Sequence, residues 1–207
     1  MFVKICGITR MTDALHAVQE GATALGFVFW PRSPRHVTPE RAREIVAAIP
    51  SSVTTVGVFV NQSIDEIRNI VGATGISAVQ LHGDEPPAYA DTLPWALFRS
   101  MTIDSADDVC RAWPAETTLL LDAGDAVRRG GTGTTVDWAL AAALAQRRRV
   151  VLAGGLTARN VADAIATVRP FGVDVSSGVE GSPGVKDFTK VTQFLANARS
   201  AFEKNDS

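Results

Sequence analysis

Two side chains in this sequence are placed to exchange protons with a small molecule. Asp122 closes the apolar run Leu119-Leu120-Leu121, and Cys6 closes a run that begins at Val3. Packing has no need of a carboxyl group at the end of such a run. It is therefore a candidate general acid or base, although a carboxylate bonded to a nearby loop would also account for it. A thiol in the same situation is a base or nucleophile if it ionises and a small buried hydrophobe if it does not. Cys110 falls within a predicted helix and reads as packing.

Other residues have the chemistry of an anion cradle. The stretches Ala153-Gly154-Gly155-Leu156 and Val175-Ser176-Ser177-Gly178-Val179-Glu180 each follow an apolar run. Glycines let backbone N–H groups approach an anion closely, and serine hydroxyls add donors. One such loop would be read as a tight turn; two of them make Gly154, Gly155, Ser176, Ser177 and Gly178 a candidate phosphate site. Arg35, in Trp30-Pro31-Arg32-Ser33-Pro34-Arg35-His36, carries a planar fork suited to a carboxylate or phosphate, and composition alone does not separate it from Arg32. His82 follows Val79-Gln80-Leu81 and either lines a site or is held structurally. His16 sits on a predicted helix and reads as structural. The three histidines are far apart in sequence, without metal-ligand spacing, so no metal is expected.

These residues need a frame. Eight short apolar runs recur, at 3–6, 24–29, 54–60, 78–81, 96–99, 118–122, 150–153 and 173–176. They are rich in Val, Ile, Leu and Phe and nearly unbroken, as strands covered on both faces are. Polar residues at their ends include Gln80 and Arg99 as well as those above. Between the runs lie helix signals: Thr12-Asp13 with Gly21 as a stop, Thr38-Pro39-Glu40, Ser63 with Glu66 as a capping box, and entry points at Asp104, Thr157 and Asp187. Strand–helix alternation implies parallel βαβ units. A closed barrel and an open doubly wound sheet compete. The count of eight, and the lack of a Gly-x-Gly-x-x-Gly after the first run, favour an α/β fold of the (β/α)8 TIM-barrel type, a single domain over 1–207, with its site at the C-terminal ends of the strands.

Composition closes off other classes. Of 207 residues, 46% are hydrophobic and 20% charged, with a formal net charge of -2. That balance offers no basic footprint for nucleic acid. Arg147-Arg148-Arg149 is read as a solvated helix end, where cations suit the helix dipole. Charges interrupt the N-terminal apolar stretch, so no signal peptide is expected, and no run is long enough for a membrane span; a cytoplasmic protein is the expectation. Two cysteines do not make a disulfide framework. Gly130-Gly131-Thr132-Gly133-Thr134 has the composition of a closing lid or of a plain loop.

Taken in order, these stretches resemble the phosphoribosylanthranilate isomerase family along nearly the whole chain. The matching blocks are Lys4-Ile5-Cys6-Gly7-Ile8-Thr9, Gly26-Phe27-Val28-Phe29 with Ser33-Pro34-Arg35, Val79-Gln80-Leu81-His82-Gly83, Leu120-Leu121-Asp122, Gly131-Thr132-Gly133, Leu152-Ala153-Gly154-Gly155-Leu156 with Asn160-Val161, and 173–180. The first block begins almost at Met1, which suggests the stand-alone form rather than a fusion. The resemblance implies a cofactor-free Amadori rearrangement of N-(5-phosphoribosyl)anthranilate. In it Asp122 would be the general acid at the ribose ring oxygen and Cys6 the base at C2. Arg35 would hold the anthranilate carboxylate, and Gly154, Gly155 and Ser176 to Gly178 the phosphate. Asp122 must then carry a proton when substrate binds. Cys6 must either titrate below the usual value near 8.5 or act through a minor thiolate fraction. Rival readings are a histidine-pathway or dual-substrate phosphoribosyl isomerase and a non-catalytic sugar-phosphate binding barrel.

Overall fold

The structure, a computed structural model, describes residues 1–122 and 137–205. Eight strands alternate with helices: β1 (Phe2–Ile5), α1 (Met11–Gln19), β2 (Ala24–Val28), α2 (Pro39–Ala48), β3 (Thr54–Phe59), α3 (Ile64–Thr74), β4 (Ala78–Leu81), α4 (Tyr89–Thr92), β5 (Ala96–Met101), α5 (Ala106–Ala112), β6 (Thr118–Leu121), α6 (Trp138–Ala145), β7 (Val150–Leu152), α7 (Val161–Val168), β8 (Gly172–Val175) and α8 (Phe188–Asn205). The strands form a closed parallel barrel in sequence order. Pairing of β8 with β1, from Phe2↔Gly172 to Ile5↔Val175, shuts it. This is the expected (β/α)8 TIM barrel.

Side chains alternate across each strand, and that alternation divides the molecule. Val3 and Ile5, Val79 and Leu81, Leu119 and Leu121, and Val173 and Val175 face the helices and join one continuous core with Ile45, Ile67, Ile165 and Phe194. The opposite parity faces inward. Phe2, Ala24, Val56, Ala78, Phe98, Leu120 and Val151 plug the N-terminal end of the barrel. Polar residues of the same inward parity fill the levels above them.

Three of the six helices with a sequence signal start where that signal lies. Thr38 caps α2 with Pro39 in the first turn. Ser63 and Glu66 form a reciprocal capping box on α3. Asp187 accepts from the Lys190 N–H as α8 begins. Other entry points move. α1 opens at Met11, and Asp13 is buried, bonded to Arg10 and to the Lys186 N–H. A 3-10 turn over Ile103–Ser105 intervenes before α5, and Asn160 rather than Thr157 stands at the cap of α7. The reading of 147–149 as a solvated helix end fails for Arg148, which donates to the carbonyls of Cys110, Pro114 and Thr117. Arg149 lies over the Phe171 ring. A feature without a sequence signal follows β8: a short antiparallel hairpin, β9 (Glu180–Ser182) and β10 (Val185–Lys186).

Candidate active site

Backbone bonds of the barrel run one residue beyond several strands, and this fixes the chemical groups at the C-terminal rim. The Cys6 N–H donates to the Val175 carbonyl at 2.8 Å, the His82 N–H to Phe59 at 2.9 Å, and the Asp122 N–H to Met101 at 2.9 Å. All three residues have inward parity. They line one cavity with Arg35, Ser176, Gln80 and Asp174, flanked by an apolar wall of Val28, Val58, Val60, Trp30 and Pro34. Thus six residues singled out in the sequence, Cys6, Arg35, Gln80, His82, Asp122 and Ser176, converge on one space. The ambiguity between Arg32 and Arg35 is resolved by position, since Arg32 is exposed and Arg35 half-buried at the cavity. Arg99 does not join them. It shares parity with Leu97, pairs with Glu85 at 2.9 Å and lies over Trp113, while its neighbour Ser100 faces inward.

The glycine loops after β7 and β8 lie against each other. A Cβ on Gly178 would come within 1.9 Å of the Leu156 carbonyl oxygen, a contact only glycine permits. Gly154 and Gly155 adopt φ of +75° and +69°, which L side chains rarely accept. A 3-10 turn over Ser177–Val179 follows β8. The Ser176 hydroxyl is buried, has no hydrogen-bond partner among the described residues, and lines the cavity. A hydroxyl left in that state suits a ligand oxygen.

The electrostatics of the rim come from buried ions. Arg35 donates from Nε and Nη2 to the two oxygens of Glu180, and Lys186 Nζ donates to Glu180 Oε1 at 2.9 Å. Burial alone would raise the Glu180 carboxyl; Arg35 and Lys186 outweigh it and hold the group below its ordinary value. Burial pushes the Cys6 thiol up, against the pull of Lys4 and Lys186. Of the two ways left open for Cys6 to act as a base, this direction favours a minor thiolate fraction over a lowered thiol.

Known proteins carry the same design. The family model described as N-(5'phosphoribosyl)anthranilate (PRA) isomerase matches residues 3–197. The chain belongs to the PRA isomerase family. It is 45% identical to N-(5'-phosphoribosyl)anthranilate isomerase of Pelobacter propionicus, over 95% of each chain. It is 46% identical to the same-named protein of Pseudomonas fluorescens, over 95% of this chain and 97% of that one. Among solved structures, phosphoribosyl anthranilate isomerase of Thermotoga maritima superposes with a TM-score of 0.89 at 42% identity, covering 97% of this chain and 99% of that one. A phosphoribosyl anthranilate isomerase solved with reduced 1-(o-carboxyphenylamino)-1-deoxyribulose 5-phosphate gives 0.85 at 41% identity, with the same coverage.

In this member of the PRA isomerase family, Gln80, already noted as a strand-end residue, belongs to an inner polar layer whose other members, Lys4 and Asp174, the sequence reading passed over. Lys4, Gln80 and Asp174 each lie two residues before Cys6, His82 and Ser176, so each points inward one level below the rim. Lys4 Nζ donates to Gln80 Oε1 at 2.8 Å and lies 3.1 Å from Asp174 Oδ1. Gln80 Nε2 meets Ser100 Oγ and His82 Nδ1. The signal was available: a lysine or aspartate inside an apolar run cannot be packing alone. The possible lid at Gly130–Thr134 and the Gly131-Thr132-Gly133 block lie outside the described residues. Among the described residues no cluster of three His, Cys, Asp or Glu could hold a metal, and no helix is long and apolar enough to cross a membrane.

Proposed function

We propose that residues 1–207 act as one catalytic domain, a cytoplasmic enzyme that rearranges N-(5-phosphoribosyl)anthranilate to 1-(2-carboxyphenylamino)-1-deoxyribulose 5-phosphate. The observation that carries this reading is the shared cavity, with Cys6 at the end of β1, Asp122 at the end of β6, and Arg35 and Ser176 beside them. Asp122 gives its proton to the ribose ring oxygen as the C1–O bond breaks, and the anilino nitrogen becomes an iminium. The iminium acidifies C2–H, so even a weakly populated thiolate at Cys6 suffices to take that proton. The enolamine then gains a proton at C1 as its C2 hydroxyl loses one. No atom is gained or lost, and no cofactor is required.

Binding follows from charge and shape. Glu180 occupies one edge of the Arg35 guanidinium, and Nη1 is left for the anthranilate carboxylate. Trp30, Pro34 and the three valines supply an apolar wall for the aromatic ring. The glycine turns at 154–155 and the Ser176–Gly178 segment supply N–H and hydroxyl donors for phosphate. His82 lines the same space while bonded to Gln80.

The test is fluorescence loss of N-(5-phosphoribosyl)anthranilate with purified protein, run beside folded C6A and D122A. Turnover by the wild type and its collapse in both variants is expected. A wild type that binds phosphorylated ligand without turnover would replace this reading with that of a binding barrel. Preference for the histidine-pathway substrate would replace it with the rival isomerase.

A further inference from the structure

Lys4 is a fully buried lysine in the barrel interior, with no accessible surface. Its ion pair with Asp174 and its bond to Gln80 make that burial tolerable. They do not explain why a charge is there at all. Apolar residues of similar volume would fill the same space without the several kcal/mol that desolvating each ion costs.

The space around it supplies a reason. Lys4 and Cys6 stand two residues apart on one strand edge and share inward parity. On the adjoining strand β2, a Cβ at Gly26 would come within 2.7 Å of Cys6 Sγ and 3.0 Å of Lys4 Cε. The absent side chain leaves the thiol and the lysine stem in one cleft. The ammonium and the thiol are electrostatically coupled, each favouring the other's charged form.

The other charged or titratable groups around Cys6 come from separate elements. Asp174 lies on β8, Lys186 on β10, Arg35 after β2, His82 after β4 and Asp122 after β6. Lys186 and Arg35 are both engaged by Glu180. Lys4, itself paired with Asp174, differs from them in being built into the same strand as the thiol, beneath the place where substrate must enter.

We propose that Lys4 is a positioning residue for proton abstraction, its buried ammonium setting how readily Cys6 ionises while anchoring Asp174 and Gln80 below the rim. This rests on the reading of Cys6 as the base. Lys4 itself exchanges no proton and touches no substrate. It balances the charge of the thiolate before C2–H is taken.

The experiment compares wild type with K4M, following alkylation of Cys6 by iodoacetamide across pH 6–10 with peptide mass mapping, and Cys110 as internal control. In K4M the Cys6 profile is expected to move alkaline by about one pH unit, which is roughly tenfold slower alkylation at neutral pH. kcat should fall about as much, with KM changed far less. A folded K4M whose Cys6 profile is unmoved overturns the proposal, whatever happens to activity. Should K4M fail to fold because Asp174 is left unpaired, the comparison becomes K4M/D174N against D174N. The same alkaline shift supports the proposal there, and its absence overturns it. Alkylation needs no turnover, so failure of the isomerase reading appears as an inactive wild type, and failure of this proposal as an unmoved profile in an active enzyme.

Discussion

Arg35 and Glu180, 145 positions apart, meet as a bidentate pair, with Nε 2.9 Å from Oε1 and Nη2 2.7 Å from Oε2. The pair fixes the guanidinium before any ligand arrives, so the carboxylate proposed to bind Arg35 would find a donor already oriented. Removing that donor should act on binding. R35A is expected to weaken an anthranilate-bearing product analogue by about 10- to 100-fold, in line with roughly 1.5–3 kcal/mol for a hydrogen bond to a charged group. Inorganic phosphate, whose proposed donors are the backbone and hydroxyl groups after β7 and β8, should inhibit R35A and wild type alike. Unchanged affinity for the analogue by calorimetry would remove Arg35 from the carboxylate site.

The same pair makes stability depend on pH. Folding lowers the Glu180 carboxyl below its ordinary value of 4.5, because Arg35 and Lys186 outweigh the effect of burial. A depressed carboxyl contributes stability that is fully present above its unfolded value and lost as pH falls through its folded one. The difference in urea midpoint between wild type and E180Q should therefore be full at pH 6 and shrink as pH drops below about 4.5. A constant difference across that range would show that Glu180 is not held ionised by its partners.

The barrel was legible because eight nearly unbroken apolar runs alternate with helical segments, and the physics of a doubly covered strand leaves few other arrangements. Cys6 and Asp122 were legible for a related reason, since each is the polar residue that ends such a run. Parity was harder. Arg99 also ends a predicted run, yet β5 continues to Met101 and turns Arg99 outward to Glu85 and Trp113. Lys4 and Asp174 hid inside runs read as apolar. The Arg35–Glu180 contact left no local trace, because it joins the loop after β2 to a hairpin whose strands are too short for any periodicity.

Burial pushes the Cys6 thiol up, against the pull of Lys4 and Lys186. Replacing sulfur by oxygen removes the group that can ionise. C6S should lose about 10²- to 10⁴-fold in kcat, the range general base catalysis supplies. Binding of a phosphorylated product analogue should persist, because Cys6 is not among its holding groups. Near-normal turnover by C6S would place the base elsewhere.

Asp122 enters the cavity from β6, on a strand that does not neighbour β1 in the barrel order. The proposed acid and base thus stand on different parts of the rim, an arrangement that suits a reaction protonating the ring oxygen and deprotonating C2. D122N keeps the shape and removes the transferable proton. It should lower kcat by about 10²- to 10⁴-fold with little effect on KM. A variant that changes KM alone would mean the ring oxygen receives its proton from another group.

Gly178 couples the two loops proposed to hold phosphate through space rather than through a bond. Its missing Cβ is what allows the backbone after β8 to lie against the Leu156 carbonyl, where a methyl group would stand 1.9 Å from the oxygen. Backbone on both sides leaves no flexible side chain to give way, so G178A must push the loops apart. Overpacking of this kind costs about 1–3 kcal/mol, and the strain falls on the segment proposed to hold phosphate. G178A is therefore expected to unfold at lower urea and to raise KM for the phosphorylated substrate about tenfold or more, with a smaller change in kcat, since Cys6 and Asp122 sit on other strands. If KM and phosphate inhibition stay at wild-type values while stability falls, the glycine serves packing alone and phosphate is held elsewhere on the rim.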